Sequence, residues 1–133
     1  MNAPAASAAA SSASGTAVGA LLLTADLLLT DGLSAATAAG RHRGASLALR
    51  TALEICVDRV LDGAVPGLAD TTMRAKLLCL HRYTTPETAR RIRSVWSHLC
   101  LGCHYHQYEI GPTHDQVRLW RAEVGALVRE LRS

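Results

Sequence analysis

Phenylalanine is missing from this 133-residue sequence, and tryptophan and tyrosine together supply only five aromatic residues. RNA readers built on a β-sheet stack bases on exposed strand aromatics, so that class is excluded. Short β-branched and aromatic runs are scarce as well, which argues against a β-sandwich. Lysine occurs once, as Lys76; the other 13 of the 14 basic residues are arginine. The first 40 residues contain no base at all, so the basic start of a secretory signal is lacking. The apolar stretch over residues 17–29 is interrupted by Asp26 and falls short of the roughly 20 residues a bilayer span needs. These absences lead to the expectation of a cytoplasmic chain with no membrane partner. In that compartment Cys56, Cys79, Cys100 and Cys103 are expected as free thiols. No cofactor fingerprint is present, and none is expected to be needed.

What is there is alanine, leucine, valine and arginine, in an amount that makes one domain. Fourteen of the 23 alanines fall in the first 40 residues, and the opening MNAPAASAAASSASGTAVGA offers nothing large to bury before Val18. Residues 1–15 are therefore expected as a disordered Ala/Ser tail, ahead of a single domain over residues 16–133. Residues 41–133 hold 14 bases against 9 acids, a surplus of five. Arginine favours bidentate contacts to phosphate or carboxylate, but a surplus of this size does not name nucleic acid unaided.

Apolar spacing predicts helices throughout. The first is expected over residues 16–39, with Leu21, Leu22, Leu28 and Leu29 on its buried face and Gly40 as its stop. A second over 43–62 places Ala45, Leu49, Ala52, Leu53, Cys56 and Val60 on one seam. GAVPGLAD (63–70) reads as a loop, and a short helix follows over 71–83. Thr85-Pro86-Glu87 reads as a helix start. The helix it opens carries a seam of Ile92, Val95, Trp96, Leu99, Cys103, His106 and Ile110, stopped by Gly111-Pro112. The last begins at Thr113 or His114 and carries Val117, Leu119, Trp120, Val124, Leu127, Val128 and Leu131. The expected fold is all-α, a four-helix up-and-down bundle with one short extra helix.

Chemistry concentrates in ARRIRSVWSHLCLGCHYHQYE, residues 89–109. On a helical wheel Arg91, His98, Tyr105 and Glu109 fall within about 40° of one another, and Arg93, Cys100, His104 and Gln107 form a second polar line. Arg82, Arg90, Arg91 and Arg93 crowd the start of this helix. Cations oppose the macrodipole there, so the cluster is either a solvated face or an anion site.

Arg93-Ser94-Val95-Trp96-Ser97-His98 fits an Arg-x4-His pattern, and Arg91 to His98 fits Arg-x6-His. On an all-α chain this resembles the HEPN superfamily, as does Gly40-Arg41-His42-Arg43 running into Leu47-Ala48-Leu49-Arg50-Thr51-Ala52-Leu53. The resemblance implies RNA as partner, a homodimer, and metal-independent cleavage. In that scheme His98 is the general acid or base and Arg93 or Arg91 meets the phosphoryl charge. The other class of reading is a non-catalytic helical module that binds a protein partner and carries these residues as solvated surface.

Cys100-x2-Cys103-His104-x-His106 supplies the ligand types zinc prefers, with Cys79 as the obvious thiol for a fourth ligand. Cys103 and His106 lie on the apolar seam, however, and buried cysteine is explained by packing, so no metal is expected. His104, His106, Tyr108 and Glu109 form a candidate pocket for a small polar ligand, or a hydrogen-bonded plug where the helix ends.

Overall fold

The structure, a computed structural model, describes residues 3–30, 37–65, 67–104 and 110–132. Five α-helices account for most of them: α1 (Ala3–Leu29), α2 (Ala38–Asp62), the short α3 (Met73–Cys79), α4 (Pro86–His104) and α5 (His114–Arg132). Single 3₁₀ turns cover Leu68–Asp70 and Leu80–Arg82, and there is no strand among the described residues.

Threonine starts helix after helix. The Thr37, Thr72 and Thr85 hydroxyls accept from the backbone N–H three residues on, at 3.0, 3.2 and 3.1 Å. Thr113 and Gln116 bond reciprocally: the Thr113 hydroxyl accepts from Gln116 N–H at 3.1 Å and Gln116 Oε1 accepts from Thr113 N–H at 2.9 Å. Each contact satisfies N–H groups that a helix start leaves unpaired. The Thr85-Pro86 start is thus as expected.

The first helix differs from expectation at both ends. It runs back to Ala3 through the stretch expected as a disordered tail, since alanine has the highest helix propensity of any residue. It closes at Leu29 rather than near Ala39, and Gly40 sits in the first turn of α2, where Thr37 caps its N–H. The uninterrupted helix Ser12–Leu29 is long and apolar enough to cross a membrane by length and composition, which the 13 residues of 17–29 taken alone are not. Among its described side chains the fully buried ones are Val18 and Ala25; Leu21, Leu22, Leu28 and Leu29 are partly buried, and Leu23 and Leu27 are exposed.

The core gathers around α2, which packs against α1, α4 and α5. Ala45, Leu49, Ala52, Leu53 and Cys56 are buried as their spacing requires, with Val57 rather than Val60 completing the seam. On α4 the seam is Ala89, Ile92, Val95, Leu99, Gly102 and Cys103. Ile110 lies beyond the end of the helix and is 98% exposed, and Leu119 on α5 is 69% exposed, so neither belongs to the core. Charged side chains join the elements at the edge of the core. Arg121 donates to both carboxylate oxygens of Asp26 at 2.7 and 3.1 Å, linking α5 to α1. Lys76 Nζ meets Asp58 at 2.6 Å, linking α3 to α2. Arg43 Nε donates to the Cys103 carbonyl at 3.0 Å, closing the C-terminal end of α4 with a cation.

Candidate functional site

The α4–α5 seam decides what each candidate side chain does. Arg91, half-buried on α4, donates through Nε to Glu123 at 3.0 Å and through one NH₂ group to both Glu130 oxygens at 2.7 and 2.9 Å. Its pKa is pushed up, chiefly by the Glu130 bond and then by Glu123, and the same contact holds the Glu130 carboxyl below its ordinary range. Arg91 is therefore a clamp between helices, with Nε and one of its two NH₂ groups committed. Arg82, Arg90 and Arg93 differ: all are exposed, and none has an ion-pair partner among the described residues.

Two turns beyond Arg91, His98 is exposed, and its ring lies nearly parallel to that of Trp120, 8° apart with centroids at 5.9 Å. It lines a cleft of about 360 Å³ together with Leu101, Gly102, His104, Ile110, Gly111, Pro112, Gln116 and Trp120. Among the described residues no arginine lines this cleft. Arg91 is turned onto the α5 carboxylates and Arg93 lies on a different line of the helix, so among the described residues His98 meets Trp120 and is bonded to neither arginine.

His104 accepts at Nε2 from Arg50 NH₁ at 3.0 Å. A guanidinium only donates, so this His104 carries its hydrogen on Nδ1. His106, Tyr108 and Glu109, the rest of the predicted pocket, lie outside the described residues, as do Tyr105 and Gln107 of the polar lines. All four cysteines are free thiols; Cys56 and Cys103 are buried, Cys79 and Cys100 half-buried. Burial raises the Cys56, Cys100 and Cys103 pKa values, against nearby arginines that lower them, which keeps these thiols protonated at neutral pH. Among the described residues no three His, Cys, Asp or Glu side chains converge as a metal-ligand set.

Trp120, Gln116, Gly102 and Pro112 were not singled out from the sequence as site residues. One signal was available: a glycine in the middle of a helix, Gly102, marks a close approach. A Cβ there would lie 2.7 Å from Ser46 Oγ and 3.1 Å from Trp120 Cζ3. The wall of the cleft is thus set by α2 and α5 pressing on a bare stretch of α4.

The chain matches no family model, no curated protein and no solved structure.

Proposed function

We propose that the chain is a non-cleaving, cytoplasmic RNA-binding module built on a four-helix up-and-down bundle. The observation that carries the binding is the contrast among the arginines. Arg91 is neutralised by Glu123 and Glu130, whereas Arg82, Arg90 and Arg93 remain exposed and unpaired among the described residues. Phosphates meet such guanidinium groups bidentately and without sequence preference. The same contrast leaves His98 without a guanidinium to stabilise a phosphoryl transition state.

Contacts at matching ends support the up-and-down order. Gly44 near the start of α2 lies beside Leu28 near the end of α1. Arg43 on α2 meets Cys103 at the end of α4, whereas Glu54, farther along α2, accepts from Trp96 Nε1, earlier on α4. Arg91 with Glu123 and Glu130, then His98 with Trp120, run in opposite order along α4 and α5.

The test is anisotropy of a labelled single-stranded RNA pool, with a chelator present, at low and high salt. Binding that weakens steeply with salt, weakens again in Arg93→Ala and Arg90→Ala, and leaves the RNA intact is the expected result. No binding at low salt refutes the reading and leaves a bundle that serves a protein partner.

A second reading, HEPN-like cleavage, is favoured by the placement of His98 in a cleft with no hydrogen bond to its ring among the described residues. It requires a homodimer in which the second copy supplies the arginine. In that case the RNA is cut, and His98→Ala slows cutting about 10²–10⁴-fold while the fold persists.

A further inference from the structure

We propose that the cleft between α4 and the start of α5 binds a small planar aromatic carboxylate. This goes beyond the RNA reading and does not depend on it. A volume of about 360 Å³ lies within the range of small-molecule sites, and the walls are of the usual kind, apolar surface with a few polar groups. Leu101, 71% exposed, and Ile110, 98% exposed, stand at its rim with no core to join, beside Pro112 and the half-buried Trp120. Gly102 adds backbone without a side chain, so a flat ring has room to lie close to the helix.

The polar groups are donors. Gln116 spends its amide oxygen on Thr113 N–H, which leaves the two N–H bonds of its Nε2 for a ligand. His104 spends Nε2 on Arg50 and keeps Nδ1–H. His98 carries at least one ring N–H in any tautomer. Among the described residues no aspartate or glutamate lines the cleft, and the Arg50 guanidinium stands behind His104, shared with Glu54 at 3.5 Å. Donors at the rim, apolar walls and a cation behind match a ligand with a flat apolar body and an anionic acceptor end. A carboxylate fits that end, and an aromatic ring fits the body.

The experiment is an NMR titration of the full ¹⁵N-labelled chain with 2-naphthoate, followed at the Gly102, Gly111 and Gln116 amides and the Trp120 indole. Saturable shifts confined to these groups are expected, with 2-naphthamide binding at least tenfold more weakly. Gln116→Glu retains the acceptor that caps α5 but replaces the donors with a like charge, and should weaken naphthoate at least tenfold. Leu101→Glu, at a solvent-exposed position where folding is not at stake, should do the same. Equal binding of acid and amide, shifts centred elsewhere, unchanged affinity in both variants, or no saturation at millimolar ligand would each overturn the proposal. The titration contains no RNA, so its failure leaves the RNA reading standing.

Discussion

Gly102 is the position where packing and helix propensity oppose one another most directly. Replacing glycine with alanine inside a helix is worth about 1 kcal/mol in propensity. At Gly102 the new methyl would lie 2.7 Å from Ser46 Oγ, 3.1 Å from Ser46 Cβ and 3.1 Å from Trp120 Cζ3. Neither neighbour yields easily: Ser46 is fully buried, with its hydroxyl bonded to the His42 carbonyl at 2.8 Å, and Trp120 is stacked on His98. Overpacking of this kind costs about 1–3 kcal/mol, which cancels or exceeds the propensity gain. Gly19, in α1, is the control, because a Cβ there meets nothing within 4 Å. Gly19→Ala should therefore stabilise, and Gly102→Ala should fall below it by about 1–3 kcal/mol, the cost of the clash. In thermal unfolding the separation should be roughly 3–10 °C, on the scaling for a domain of this size. Urea denaturation followed by circular dichroism measures both variants. Adding Ser46→Ala to Gly102→Ala should recover part of the loss, as coupled neighbours do. If Gly102→Ala stabilises as much as Gly19→Ala, the close approach of α2 and α5 to α4 is refuted.

Deleting residues 1–15 should change unfolding free energy by less than about 1 kcal/mol, since Ser12 and Ala13 are exposed and Val18 is the first residue found in the core; a large loss would mean those turns pack on something. The raised pKa values of Cys56, Cys100 and Cys103 mean that the folded state holds thiol protons which the unfolded state releases. Stability should therefore decline as pH rises past the unfolded thiol value of about 8.5, and a Cys56→Ala, Cys100→Ala, Cys103→Ala variant should lose much of that slope in urea titrations at pH 7–10. Glu130 is shifted the opposite way, held down by its bond to Arg91. Its contribution is present above the unfolded carboxylate value of about 4.3 and disappears as pH falls through the lower folded value, so wild type and Glu130→Gln should converge in stability toward pH 3. A gap independent of pH would remove the ion pair as its cause.

Local chemistry is legible in the sequence. Thr85-Pro86 and Thr113 start helices because capping depends on residues only three apart, and the α2 seam from Ala45 to Cys56 follows from apolar spacing alone. The helix ends were less readable. Alanine carries α1 back to Ala3, and Gly40 is accepted inside α2 because Thr37 caps its N–H, neither of which a composition rule registers. Ile110 and Leu119 are apolar enough for the core, yet burial requires a facing element, and among the described residues they have none.

The site depended most on long-range contacts. In the sequence Arg90, Arg91 and Arg93 are equivalent cations within one turn of a helix. Folding separates them, because Glu123 and Glu130 lie one partner helix away and reach only Arg91. His98 was readable as a chemically capable side chain, whereas its stacking on Trp120 and the cleft beside it required α5 to pack against α4. Residue type and spacing therefore specify which groups can do chemistry. Charge pairing and packing between residues distant in the chain specify which remain available for it, because ion pairs and steric contact act through space and not along the backbone.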